Sequence, residues 1–336
     1  MRPKPPEAPS ATVHTQPTLP GQADRLLRAL EWKVIRRLDG LLQGNYRTLV
    51  RGSGLDLADL REYQPHDDVR HIDWNVTARL NTPHVRVFTE DREMSAWFLL
   101  DLSPSLHFGP QGNAKRDILT GLVAVLARLL TRHGNRVGAM LYGGGTTGTR
   151  AVDVVLPPRR SRAQVLHLVH QLLQPATGPT GGGTQLGLLL QAGLAAIRQR
   201  STVFVASDFI SAPGWEQPLA RLAQRHDVVA VRLFDPLELE LPDLGLVMLR
   251  DAETGERLQV DTHDKGFRQC FARLAAEREA TLRAGLAAAG TDTLELRTDD
   301  DLLDALLRFM DLRQRRAGPR LRPFPSSRPT TAQAAG

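Results

Sequence analysis

Several features that would point to particular protein classes are missing from this sequence. It contains one cysteine, Cys270, in 336 residues, which excludes an internal disulfide framework and a cysteine metal cluster. The longest apolar run, residues 118–130, includes Arg128 and is too short to cross a bilayer. No P-loop motif and no apolar segment typical of a secretory signal occurs. We therefore expect a soluble, cytoplasmic protein with no membrane span and no nucleotide-phosphate loop of its own.

No acidic residue occurs after Asp311, whereas arginine is frequent there and accounts for much of the net charge of +6. The arginines concerned are Arg313, Arg315, Arg316, Arg320, Arg322 and Arg328. Phe324 is the only aromatic residue near them, so this region offers no platform for stacking bases. We interpret it as a solvated basic tail and expect no specific binding of nucleic acid.

Composition divides the chain into four parts. Residues 1–22 and 317–336 are rich in proline and small residues and are predicted to be disordered tails. Residues 23–95 are predicted to form a helix and an irregular segment that packs on the core. Residues 96–316 are predicted to form the main domain, with a smaller section after Asp235.

Short apolar runs alternate with amphipathic segments through the main domain. Strands are predicted at 84–88, 96–101, 136–142, 149–156, 202–208 and 227–234, and helices at 113–132, 161–173, 185–200 and 214–225. Two short strands, a helix over 265–289 and a last strand and helix follow, with Thr298 as the expected N-cap. This alternation predicts an α/β fold with a doubly wound, mostly parallel sheet and helices on both faces. Cys270 is expected to lie buried with Phe267 and Phe271.

Oxygen-bearing side chains follow two of the predicted central strands. Asp101, Ser103 and Ser105 alternate at the end of the first, so in an extended chain they point to one side. Thr184 follows three glycines and opens a predicted helix, and Asp208 ends another strand. In doubly wound sheets, ligands bind beyond the carboxyl ends of the strands, where the strand order reverses. If the two strands are neighbours there, all five side chains converge.

Two carboxylates and three hydroxyls, without nitrogen or sulfur, are typical ligands of Mg²⁺, Mn²⁺ or Ca²⁺ rather than zinc. The sequence therefore predicts a divalent metal site and no catalytic residues. This motif, with its distant threonine and second aspartate, resembles the metal-ion-dependent adhesion site of von Willebrand factor type A domains.

A second resemblance lies in residues 57–93, directly before the metal-site strand. They resemble domain-of-unknown-function family 58 in Arg61-Glu62-Tyr63, Asp67-Asp68, Ile72-Asp73-Trp74, Thr77-Ala78-Arg79 and Glu90. The resemblance implies a von Willebrand A-like fold and partnership with a MoxR-type AAA+ ATPase. It also implies that the hydroxyls bind the ion directly, that the aspartates bind directly or through water, and that an acidic side chain of the partner completes the coordination. The expected function is a metal-dependent adaptor in the assembly or activation of another complex.

Other patterns allow other interpretations. A cluster of His66, Asp67, Asp68, His71 and Asp73 could hold a second metal, but its spacing favours ion pairs with nearby arginines. We expect Trp74 to anchor that segment in the core. The glycine-rich run 143–148 precedes a predicted strand, so it is interpreted as a turn and not as a dinucleotide site. A metal-dependent phosphoryl-transfer or hydrolytic enzyme is the alternative function, but position 103 is a serine where a general acid would be needed.

Overall fold

The computed structural model describes residues 19–38, 59–64, 69, 72–87, 94–109, 114–144, 152–174, 183–251 and 254–316. Both predicted tails lie outside these residues, except that the first helix already begins at Leu19. Also outside are His66, Asp67, Asp68, His71 and most of the glycine-rich run. The predictions made for those positions remain predictions.

A six-stranded sheet forms the centre of the protein. Its strands are β3 (Ser95–Asp101), β4 (Arg136–Tyr142), β5 (Val154–Arg159), β6 (Thr202–Ser207), β7 (Asp227–Phe234) and β10 (Asp292–Arg297). Their order is β10-β7-β6-β3-β4-β5, and every neighbouring pair is parallel except β4 with β5. The predicted fold, an α/β fold with a doubly wound and mostly parallel sheet, is confirmed.

Helices cover both faces of this sheet. They are α1 (Leu19–Leu30), which continues as a π-helical turn (Glu31–Ile35), α3 (Lys115–Arg132), α4 (Arg162–Leu173), α5 (Leu186–Ala196), α6 (Glu216–Arg225), α7 (Lys265–Ala288) and α8 (Leu302–Arg316). On β3, Phe98 and Leu100 pack with α1, α3, α4 and α8, whereas Trp97 and Leu99 pack with α5, α6 and α7. Both side-chain rows of the central strands are buried because helices cover each face, which explains their continuous apolar sequences.

Smaller elements lie outside the main sheet. β1 (Asp59–Glu62) and β2 (His84–Val87) form an antiparallel pair, and the short helix α2 (Trp74–Leu80) lies between them in sequence. β8 (Leu246–Arg250) and β9 (Arg257–Asp261) form a second antiparallel pair. The segment predicted as irregular therefore contains regular elements where it is described. No helix in the described parts of the chain is long and apolar enough to cross a membrane.

The prediction that Trp74 is buried is wrong, because its side chain is 70% exposed. Trp74 is the first residue of α2, and none of the residues of this helix is buried. Asp73 precedes it and caps the helix, accepting hydrogen bonds from the backbone N–H groups of Asn75 and Val76 at 3.0 and 3.3 Å. The sequence block therefore forms a surface helix, and its tryptophan does not reach the core.

Two further burial predictions are wrong. Cys270 is exposed, because α7 turns this side chain and Leu274 outward while Phe267 and Phe271 lie half-buried. Arg313, assigned to the solvated tail, is only 1% exposed and lies within α8. Its guanidinium forms ion pairs with Asp227 and Asp292, which explains why a cation is tolerated there.

Candidate metal site

The candidate site lies where the strand order of the sheet reverses. From β3 the sheet extends through β4 and β5 on one side and through β6, β7 and β10 on the other. β3 and β6 are hydrogen-bonded neighbours, with Leu100 opposite Ala206. Asp101 and Asp208 follow at the carboxyl ends of these two strands, as the sequence predicted, and their side chains are 0% and 2% exposed.

Asp101 is held in a single orientation by its neighbours. Its Oδ1 accepts a hydrogen bond from the backbone N–H of Ser103 at 3.0 Å. Its Oδ2 accepts one from the hydroxyl of Ser207 at 2.6 Å. The Ser207 oxygen also accepts the N–H of Phe209 at 2.9 Å. Ser207 thus joins the turn after β6 to the carboxylate at the end of β3.

The two serines of the motif lie together beneath the same edge of the sheet. The hydroxyl oxygens of Ser103 and Ser105 are 3.1 Å apart, and both residues are buried. Ser105 lies in a 3₁₀ turn over Pro104–His107. Gly144, in the turn after β4, has φ +85°, and a Cβ there would lie 3.2 Å from the Cβ of Ser103. Glycine allows this turn to pack against the motif.

Thr184 is tied to the loop that follows Asp208. Its side chain is buried, and its carbonyl accepts hydrogen bonds from the Ser211 hydroxyl and the Ala212 N–H, both at 2.9 Å. The adjacent Gln185 N–H donates to the Tyr142 hydroxyl, at the end of β4, at 3.0 Å. The loop before α5 is therefore connected to the end of β4 and to the loop after β6 at this edge of the sheet.

The turn after Asp208 has an unusual backbone conformation. Phe209 has φ +59°, a region that a bulky residue rarely occupies. Its ring is buried and packs edge-on against Trp215, with 5.2 Å between centroids. This packing holds a conformation that would otherwise be unfavourable, and the N–H of Ile210 reaches Asp208 Oδ1 at 3.0 Å.

Lys115, the first residue of α3, contacts the other oxygen of Asp208. Its ammonium group donates to Asp208 Oδ2 at 2.9 Å and to Glu238 Oε1 at 2.6 Å. Glu238 belongs to a 3₁₀ turn after β7, and its second oxygen accepts the N–H of Asp235 at 3.2 Å. Asp235 in turn accepts the Thr298 hydroxyl at 2.6 Å. Polar side chains thus connect the ends of β6, β7 and β10.

The buried environment of the site shifts the pKa values of Asp101 and Lys115. Burial, with repulsion from Asp208, raises the pKa of Asp101 to about 7, although hydrogen bonds from Ser207 and Ser103 oppose this shift. Burial alone would lower the pKa of Lys115, but the carboxylates of Asp208 and Glu238 outweigh it and leave that pKa above its usual value. Lys115 therefore stays charged, while no cation of the described residues forms an ion pair with Asp101.

Comparison with known proteins places the chain in a family. The family described as protein of unknown function DUF58 matches residues 59–281. The chain belongs to the DUF58 family. An uncharacterised protein of Mycobacterium tuberculosis is 36% identical over 312 residues, which cover 91% of this chain and 96% of the relative. Another uncharacterised protein, from Mycobacterium avium, is 34% identical over 162 residues, covering 48% of this chain and 95% of the relative.

Solved structures of similar architecture are more distant. An aerotolerance-related membrane protein from Bacteroides fragilis aligns with a TM-score of 0.42 and 12% identity, over 66% of this chain and 99% of that one. BatB from Bacteroides thetaiotaomicron gives 0.41 and 13%, over 66% and 99%. A von Willebrand factor type A protein from Catenulispora acidiphila gives 0.33 and 12%, over 66% and 42%.

The donor chemistry of this DUF58 chain fits a hard divalent cation. In the described residues, no group of three or more His, Cys, Asp or Glu side chains could hold a metal, so an ion at this site would also need hydroxyl ligands. The ammonium group of Lys115 contacts Asp208 and Glu238, and Asp101 lies close enough to Asp208 for their charges to repel, so two negative charges of these four groups are unbalanced when all are ionised. A divalent ion would balance them.

Sequence reasoning missed Ser207, Lys115 and Glu238 at the DUF58 site. Lys115 carried a usable signal, because a cation at the first position of a helix opposes the helix dipole and needs a compensating partner. Glu238 also carried one, since it follows Asp235 by three residues in a capping arrangement. Thr298 was expected to cap the last helix, but Asp301 does so, accepting from the N–H groups of Leu303 and Asp304.

Proposed function

We propose that this DUF58 protein is a metal-dependent protein-interaction module. Mg²⁺ or Mn²⁺ would be held by the hydroxyls of Ser103, Ser105 and Thr184 together with the carboxylates of Asp101 and Asp208. The bound ion would supply an electrophilic position for an acidic side chain of another protein. The proposal assigns no catalytic residue.

The convergence of Asp101 and Asp208 at the strand-order reversal carries this proposal. Two buried carboxylates repel each other and cost free energy unless a cation lies near them. Lys115 contacts only one of the two, and no other cation in the part of the chain that the structure describes pairs with Asp101. The hydroxyl pair of Ser103 and Ser105 adds neutral oxygen ligands, which would leave the ion a net positive charge toward a partner carboxylate.

The partner proposed from the family resemblance is a MoxR-type AAA+ ATPase. The chain contains no P-loop, so ATP-driven work would come from that partner, with this protein as the adaptor. An acidic side chain of the ATPase would complete the coordination of the ion. Within the complex, the remaining surface of this protein would be free to contact a client assembly.

Calorimetric titration with Mg²⁺ and Mn²⁺ tests the site. We expect the wild type to bind one equivalent of metal ion. Asp101→Ala and Ser103→Ala should weaken this binding by about 10–100-fold or more, since losing even a group that only supports a metal ligand costs that much. Asp261→Ala is the matched control, because Asp261 also ends a strand but is exposed and remote in sequence from the motif. Equal affinity in all four proteins would reject the assignment.

Pull-down of a MoxR-type ATPase tests the partnership separately. Capture should fall when EDTA is added or when Asp208→Asn is used, and should recover with excess Mg²⁺ in the wild type alone. Capture that is unaffected by both treatments would show that the partner binds through another surface. No capture under any condition would reject this partner while leaving the metal site intact.

A further inference from the structure

Lys115 is an unusual residue for the place it occupies. Its side chain is 0% exposed, and it begins α3, where the helix dipole disfavours a cation. Burying an ammonium group is costly unless good geometry and hydrogen bonds compensate. Both compensating groups are acidic side chains distant in sequence, Asp208 and Glu238.

Asp208 is restrained on both of its oxygens, one of them by the bridge through Lys115. Oδ2 accepts the ammonium group, and Oδ1 accepts the N–H of Ile210. Glu238 is restrained in the same way, with one oxygen on Lys115 and the other on the N–H of Asp235. The carboxylate of Asp208 therefore cannot rotate without breaking a contact to a second element of the fold.

We propose that Lys115, with Glu238, is the positioning pair of the metal site: it fixes the Asp208 carboxylate in the orientation in which that carboxylate can bind the ion. This inference rests on the proposed metal binding and adds the residues that prepare the site for it. Removal of the pair leaves Asp208 restrained on one oxygen only, by the N–H of Ile210, although Asp101 and the three hydroxyls are retained.

Two simpler roles of Lys115 make different predictions. A purely electrostatic role depends only on total charge, so a variant that loses one cation and one acid should bind metal like the wild type. A purely structural role affects the stability of the protein and leaves the metal affinity of the folded protein unchanged. A positioning role lowers affinity even when total charge is kept.

The double variant Lys115→Met, Glu238→Gln separates these roles, since it removes one charge of each sign. We expect its affinity for Mg²⁺ and Mn²⁺, measured by calorimetry on folded full-length protein, to fall about 10–100-fold, as when outer-shell partners of metal ligands are lost. Arg273→Met, Glu277→Gln is the matched control, because this ion pair is 2.8 Å long and more than half exposed at both side chains. The control should bind like the wild type.

A second variant covers the case in which the double variant does not fold. Glu238→Asp keeps the charge but shortens the side chain by one methylene, and Glu238 is partly exposed, with 14% of its side chain accessible. Its affinity should also fall, and the rise in melting temperature produced by saturating Mg²⁺ should shrink. The positioning role is overturned if the folded double variant binds metal with wild-type affinity. The same conclusion follows if only Glu238→Asp folds and binds with wild-type affinity. Either result leaves the assignment of the metal site intact. Absence of metal binding by the wild type overturns both.

Discussion

His226 is the residue whose environment most clearly links burial to pH. It follows α6, its ring is 6% exposed, and neither ring nitrogen has a hydrogen-bond partner among the described residues. Burial, with repulsion from Arg225 and Arg200, lowers the pKa of His226 below its ordinary value of 6.5. In the unfolded chain the imidazole takes up a proton as the pH falls through 6.5, whereas the folded protein resists protonation.

We therefore predict that His226 destabilises the fold as the pH falls below about 6.5, because the unfolded state then binds more protons. The free energy of unfolding, measured with urea at pH 7.5 and 5.5, should fall less in His226→Gln than in the wild type. His167→Gln is the control, since His167 is exposed on α4. An identical fall in all three proteins would contradict this account.

At the scale of a single element, α2 shows how a cap and a surface position differ in their effect on stability. Asp73 caps the helix through two backbone N–H groups, and Trp74 projects into solvent. Loss of an N-cap side chain costs about 0.5–2 kcal/mol. A surface residue without special contacts contributes within about 0.5 kcal/mol.

Asp73→Ala should accordingly lower the free energy of unfolding by about 1 kcal/mol, and Trp74→Ala by less than about 0.5 kcal/mol. Asp73→Asn should retain most of the stability, because asparagine caps helices about as well as aspartate. Chemical denaturation of the three variants measures these differences. A loss of several kcal/mol in Trp74→Ala would mean that the tryptophan packs in the core, as the sequence had suggested.

Across the whole molecule, polar networks lie at opposite edges of the main sheet. The candidate metal site occupies the carboxyl edge, where β3 and β6 end. At the amino edge, Arg313 of α8 bonds to Asp292 at 2.8 Å and also to Asp227, which begin β10 and β7. The last helix is thereby fastened to two strands at the edge remote from the site.

This separation predicts that stability and metal binding respond to different residues. Arg313→Met should lower the free energy of unfolding by about 3–5 kcal/mol, because the partly buried carboxylates of Asp227 and Asp292 each lose an ion pair with this buried guanidinium. The Mg²⁺ affinity of the folded variant should equal that of the wild type. Arg315→Met should change stability by less than about 1 kcal/mol, since its pair with Asp311 is exposed. A parallel loss of affinity in Arg313→Met would show that the two edges are coupled.

The sequence by itself determined the fold class and the identity of the five candidate ligands. Buried strands such as β6 are continuously apolar and the helices between them are amphipathic, so the alternation could be identified locally. The aspartates at 101 and 208 were recognisable because each follows such a strand. Parallel strands carry their carboxyl ends to one edge, and this placed the two residues together before their contacts were known.

Only the tertiary structure decided which polar side chains lie beside those ligands. Lys115 and Glu238 are separated by 123 positions, and no local pattern relates a lysine at a helix start to a glutamate in a distant turn. Trp74, Cys270 and Arg313 were misplaced for the same reason. An amphipathic pattern shows that a residue could be buried, but burial itself depends on whether another element covers that face, and distant parts of the chain supply that cover.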